Sequence, residues 1–245
     1  MTSTDEAQGK LAGRIALITG ASRGIGAAVA KRFAAERATV ILVAKTQAAL
    51  EELDDEIREA GYPPAVLLPM DLTDFNKIDQ MGAAIYERFG KLDILIANAG
   101  VLGDMTPLAH LDPKVWDKVI GTNLTVNWRL IRSMDPLLRS SDSGRGVFLT
   151  SGTTKAPRAF WSAYAVSKAA LENLVQTYAC ENTKTNVKVN LLDPGATRTR
   201  MRALAYPGED PQTLKTADEL TDLFVELSSP SCERQGEIIR FGEQK

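Results

Sequence analysis

Apolar positions along the chain gather into short, almost continuous runs. These are 14–19 (RIALIT), 39–43 (TVILV), 65–68 (AVLL), 92–97 (LDILIA), 146–150 (GVFLT), 187–192 (VKVNLL) and 237–240 (EIIR). Strands covered by helices on both faces read this way, because neither face alternates with solvent. Between them, the stretches near 24–36, 46–60, 74–89, 113–139, 162–183 and 216–228 carry helical spacing, as with Ile25, Val29 and Phe33. The alternation of strand and helix predicts an α/β protein built on one doubly wound parallel sheet of about seven strands, with helices on both faces. No Pro/Gly-rich linker, repeat or low-complexity tract breaks it, so residues 11–245 are expected to form a single domain behind a polar, flexible tail at 1–10.

Composition narrows the chemistry. With 245 residues and 44% hydrophobic positions the chain can bury a substantial core. A formal net charge of −2 provides no basic field for nucleic acid. No apolar run reaches the length of a membrane span and the first ten residues lack a signal-peptide core, so neither a membrane partner nor export is expected, and a cytoplasmic location is. Cys180 and Cys232 have no metal-type spacing and read as free thiols. The single histidine, His110, lies just before Asp112-Pro113, a helix-capping pair, and reads as a loop residue. A multi-histidine metal site is thereby excluded, and no metal is expected.

In doubly wound sheets the ligand lies beyond the carboxyl ends of the strands, so residues that follow strands carry the most information. Directly after the first run comes TGASRGIG at 19–26, leading into a helix. Gly20, Gly24 and Gly26 permit a tight turn, close approach of backbone to a pyrophosphate and close helix–strand packing, while Ser22, Arg23 and Ile25 complete the loop. A site selective for NAD(H) would place an acid about 20 residues on, at the end of the second strand. Here that strand runs into Lys45. Lys45 and Arg23 suit a 2′-phosphate, which favours NADP(H) over NAD(H), although Lys45 also reads as a solvated strand-end charge. Asp71 and Leu72, in DLTD after the third strand, offer a carboxylate and a backbone amide to an adenine edge; helix capping is the competing role for this motif, through Thr73 or Asp74.

One further pair is chemical in character. SAYAVSKAA at 162–170 places Tyr164 and Lys168 four positions apart, on one helix face. Alone, such a pair is as compatible with a surface contact as with catalysis.

Taken together, TGASRGIG, DLTD, ANAG at 97–100, Asn123 in GTNL, Ser151 after GVFLT, YAVSK at 164–168 and DPGATRT at 193–199 resemble the short-chain dehydrogenase/reductase family, with its Rossmann-type sheet. The resemblance runs from about residue 13 to residue 242, and MRALAYPGEDPQTLKT resembles a bacterial branch of poorly defined substrates. It implies hydride transfer between a nicotinamide and a small carbonyl or secondary alcohol, with Tyr164 as acid/base, Ser151 donating to the substrate oxygen, Asn123 holding a relay water and Lys168 gripping the nicotinamide ribose; the rival readings are an NAD(H) enzyme of the same fold and a dinucleotide-sensing protein without turnover. It also implies cofactor contacts from Asn98, Ala99 and Gly100, and from Pro194, Gly195, Thr197 and Thr199. Asp193 stands where the family often has Asn. A cation about 4 Å from the phenol contributes about 4 kcal/mol at an effective dielectric of 20, enough to lower a tyrosine by about three pK units. The resemblance implies that residues 200–216 cover the substrate, where they could close as a lid, and that Phe160 and Trp161 line its pocket, with core or subunit packing as their competing role. A homodimer or homotetramer pairing the helices near 113–139 and 162–183 is the implied assembly.

Overall fold

The computed structural model describes residues 9–243. Seven strands form one parallel sheet: β1 (Ile15–Thr19), β2 (Thr39–Ala44), β3 (Val66–Pro69), β4 (Ile94–Ala97), β5 (Arg145–Leu149), β6 (Lys188–Asp193) and β7 (Ile238–Arg240). Their order is β3-β2-β1-β4-β5-β6-β7, so the direction of winding reverses between β1 and β4, where Ile18 pairs with Leu42 on one side and Ile96 on the other. The sheet expected from the apolar runs is thus present, each strand lying within about two residues of its run.

The strands are apolar throughout because each feeds two cores. Ala16 and Ile18 of β1 enter one with Val29, Phe33, Leu50, Ile57 and Phe224, whereas Ile15 and Leu17 enter the other with Ile78, Ile85, Leu130, Leu171 and Val175. The first core is covered by α1 (Gly24–Ala35), α2 (Gln47–Glu59) and α8 (Thr221–Ser228); the second by α3 (Phe75–Phe89), α5 (Val126–Arg139) and α6 (Ser162–Glu181). A short α7 (Arg200–Ala205) lies in the 200–216 segment.

The helix expected over 113–139 is interrupted. α4 (Pro113–Ile120) passes into a π-turn at Gly121–Thr125 before α5 resumes, with Val126 N–H donating to Gly121 O, five residues back. Asn123 sits in that turn. The residues 1–8 of the expected tail lie outside those described; Gly9 and Lys10 pack on the end of α1, where Lys10 N donates to Glu36 Oε2 at 2.7 Å. Among the described residues no helix is long and apolar enough to cross a membrane.

Candidate active site

The switch point between β1 and β4 opens into a cleft of about 1030 Å³ at the carboxyl ends of the strands. Its floor begins at the glycine turn. Gly20 and Gly24 take φ of +65° and +57°, which L side chains rarely adopt. Gly26 has an ordinary φ but no room: a Cβ there would stand 2.3 Å from Gly20 O and 2.7 Å from Asn98 Nδ2. Asn98 explains that crowding, since Nδ2 donates to Thr19 O and Gly20 O at 2.9 and 3.1 Å and so ties the end of β4 to the turn. Arg23 occupies the N-cap of α1 without capping it through its side chain, which leaves the first amides of the helix free to meet an anion at the cleft wall.

Ser22, Arg23, Ile25, Ala99, Gly100, Ser151, Tyr164, Lys168, Pro194, Gly195, Thr197 and Thr199 also line this cleft. Thr199 crosses from the β6 side to within 3.5 Å of a Cβ at Gly24, and Thr197 Oγ1 folds the loop by donating to Pro194 O or Gly195 O. Gly26 and Asn123 stand behind the wall. Lys45, Asp71 and Leu72 do not line the cleft either. Lys45 Nζ pairs with Asp71 Oδ2 at 2.8 Å, and Asp71 Oδ1 accepts from both Thr73 N and Thr73 Oγ1. These bonds hold the Asp71 carboxyl down at about 2 against the upward push of its burial, while the Leu72 side chain is core.

The π-turn has a visible cause. Asn123 is fully buried; its Oδ1 accepts from Val101 N at 2.9 Å, and its Nδ2 donates to Val101 O and Ser167 Oγ. The Asn123 backbone carbonyl accepts from Asn127 Nδ2 at 2.7 Å. Asn123 therefore locks the loop after Gly100 to α6, one residue before Lys168. Lys168 is 4% exposed, and its Nζ donates to Leu149 O, the last carbonyl of β5, at 2.7 Å.

One electrostatic expectation is reversed. Burial, the largest influence on Tyr164, raises its phenol above the ordinary range; the Ser151 hydroxyl draws it back in part and Asp193 pushes it up further. The Lys168 ammonium is turned onto Leu149 O and lies 5.8 Å from the Tyr164 ring centroid, and burial outweighs it. Burial also pushes Lys168 itself down to about 8, with Glu172 opposing. Asp193 is buried, accepts from Gly195 N at 2.9 Å and faces Arg240 Nε at 4.0 Å.

The outer end of the cleft is aromatic. The Trp161 ring lies 5.8 Å from that of Tyr164 and 5.9 Å from that of Tyr206. Arg202 covers the Tyr206 ring at 3.8 Å and donates twice to Glu209. Phe160 does not line the cleft and is 53% exposed. Tyr206, Arg202 and Glu209 were not singled out by the motifs, since a stacked ring and its cation in an irregular segment leave no periodic trace.

With this geometry in view, the similarity to known proteins is decisive: the family model for the short chain dehydrogenases matches residues 14–210. The chain belongs to the short chain dehydrogenase family. It is 37% identical over 224 residues to the oxidoreductase YciK of Escherichia coli K12, covering 91% of this chain and 88% of YciK. It is 34% identical over 221 residues to a yeast benzil reductase of the (S)-benzoin-forming type, covering 86% and 83%. Among solved structures, a short chain dehydrogenase of Escherichia coli CFT073 complexed with NADPH superposes with a TM-score of 0.91 at 37% identity, covering 95% of this chain and 98% of that one. This protein is accordingly an NAD(P)-dependent oxidoreductase on a Rossmann-type sheet.

Proposed function

We propose that the protein is an NADP(H)-dependent carbonyl reductase in which Tyr164 gives a proton to the substrate oxygen. The observation that carries this reading is the Tyr164 phenol beside the Ser151 hydroxyl, in a cleft that begins at an uncapped glycine turn. When bound, NADP(H) supplies the hydride. Ser151 holds the substrate oxygen against the phenol, and Lys168 holds the ribose and replaces the proton that Tyr164 gives up. Asn123 keeps α6 registered on the Gly100 loop. A phenol raised above its ordinary range carries its proton at neutral pH, the form from which a carbonyl reduction starts.

The positive-φ glycines and free helix amides fit a pyrophosphate. Arg23 is exposed and makes no ion pair or side-chain hydrogen bond among the described residues, and no acid ends β2; both features suit a 2′-phosphate. Lys45 joins Arg23 there by exchanging Asp71 for the phosphate. The relationship to a benzil reductase and the Trp161–Tyr206 surface support an aromatic 1,2-diketone as the first carbonyl to assay. Residues 200–216 act as the lid, and Trp128 of α5 and Val166 of α6, 45% and 46% exposed, support pairing of these helices in a cytoplasmic homodimer or homotetramer.

The test is a fluorescence titration with NADPH and NADH side by side, followed by benzil turnover in wild type and Tyr164→Phe. Selective NADPH binding, with turnover abolished and affinity kept in the variant, is expected. Equal affinities would discard the phosphate assignment, and retained turnover would discard the role of the phenol.

A further inference from the structure

Ser151 has little regular structure to hold it. It follows β5 directly and opens a single turn of 3₁₀ helix, Gly152–Thr154. Yet its oxygen must meet the substrate at a distance set by Tyr164, on another element. The residues around it show what fixes the turn. Thr150, 3% exposed, donates its hydroxyl to Glu172 Oε1 at 2.6 Å. Thr154 Oγ1 reaches the same carboxylate oxygen at 2.9 Å and stands 2.9 Å from Ser151 O. The two threonines that bracket Ser151 thus converge on one oxygen.

Glu172 lies on α6 four positions beyond Lys168 and eight beyond Tyr164, on the same helix face. It makes no ion pair among the described residues, and Lys168 points to Leu149 O, so its hydrogen-bonding capacity is directed to the threonine hydroxyls. Bonds of a hydroxyl to a carboxylate are short and directional. Thr153 completes the arrangement: its amide and hydroxyl both reach Ser151 Oγ, at 3.3 and 3.2 Å. A serine oxygen has two acceptor sites and one proton, so with both sites filled the O–H is left to donate into the cleft.

We propose that Glu172 is a positioning residue that clamps the Ser151 turn onto the helix carrying Tyr164, so that one rigid element sets the spacing of the two groups that hold the substrate oxygen. The inference rests on the roles given above to Ser151 and Tyr164.

The test is a double-mutant cycle on the full chain, with benzil and NADPH as probes. Glu172→Ala is expected to lower kcat by about tenfold to a hundredfold, as for a reacting group displaced by an ångström. NADPH affinity by fluorescence should fall far less than kcat, since Glu172 bears on the ribose site only through its charge near Lys168. Glu172→Gln, whose amide oxygen accepts the same hydroxyls, restores most of the loss. In a Ser151→Ala background Glu172→Ala costs nothing further. The crystal structure of Glu172→Ala, which needs no substrate, should show the Gly152–Thr154 turn moved relative to Tyr164. Equal losses in both backgrounds, a Gln variant no better than Ala, or an unmoved turn would overturn the proposal. Full turnover in Ser151→Ala alone would overturn the reading of the site, and this inference with it. If Glu172→Ala fails to fold, Thr150→Val with Thr154→Val removes the same donors from the other side.

Discussion

Lys168 allows a quantitative test of how the site is built. The residue is 4% exposed and its ammonium has one hydrogen-bond acceptor among the described residues, Leu149 O at 2.7 Å; burial lowers it from 10.5 to about 8. Below about pH 8 the folded and unfolded chains both carry this proton, and burying the charge opposes folding. Between about pH 8 and 10.5 the unfolded chain still holds a proton that the folded chain has released, so stability rises with pH. The 2.5-unit gap, at about 1.4 kcal/mol per unit, amounts to about 3.5 kcal/mol. Replacing the residue in Lys168→Met removes this contribution and also strips Leu149 O of its donor, at a cost of about 1–3 kcal/mol that does not vary with pH. Guanidinium unfolding of both proteins at neutral pH and in steps to about pH 10.5 isolates the effect, because every other titrating group is common to both. The stability of wild type relative to the variant should climb by about 3 kcal/mol over that window. Parallel curves, or divergence in the opposite sense, would show that the ammonium is not desolvated as the structure has it.

Gly26→Ala places a methyl 2.3 Å from Gly20 O; it should cost about 3 kcal/mol, lower Tm by about 6–12 °C and abolish NADPH binding in a fluorescence titration. Gly24→Ala, whose nearest neighbour would be Thr199 Cγ2 at 3.5 Å, meets only the strain of its positive φ and should cost about 1–2 kcal/mol. Arg23→Ala combined with Lys45→Ala should weaken NADPH binding by about 3 kcal/mol and leave NADH affinity unchanged, measured by the same titration. Arg202→Ala releases Glu209 and the face of Tyr206; KM for benzil should rise and proteolysis within 200–216 accelerate, with NADPH affinity kept.

The strands were legible because a parallel strand under two layers of helix has no polar face to interrupt it, and β1 divides its side chains between both cores as that pattern requires. The glycine turn was legible because backbone torsion and steric access are properties of residue type. The π-turn at Gly121–Thr125 was not, since 113–139 has the spacing of one continuous helix and the distortion answers to Val101 and Ser167, 22 and 44 positions away. Nor was the Lys45–Asp71 pair: each residue was assigned a role toward a nucleotide, and only the pairing of β2 with β3 shows that they first answer each other. Glu172 escaped notice for the same reason, its partners lying on a turn 18 and 22 positions earlier.

The sequence by itself determined the order of strands and helices, the family, and the candidates Ser151, Tyr164 and Lys168, because periodicity, turn chemistry and motif spacing are written locally along the chain. The electrostatic state of those candidates was decided by the tertiary structure alone. A spacing of four residues on a helix suggested an ammonium lowering a phenol, whereas the folded chain buries Lys168, turns it onto Leu149 O and leaves Tyr164 raised. Desolvation depends on everything packed around a group, and no local stretch of sequence contains that information.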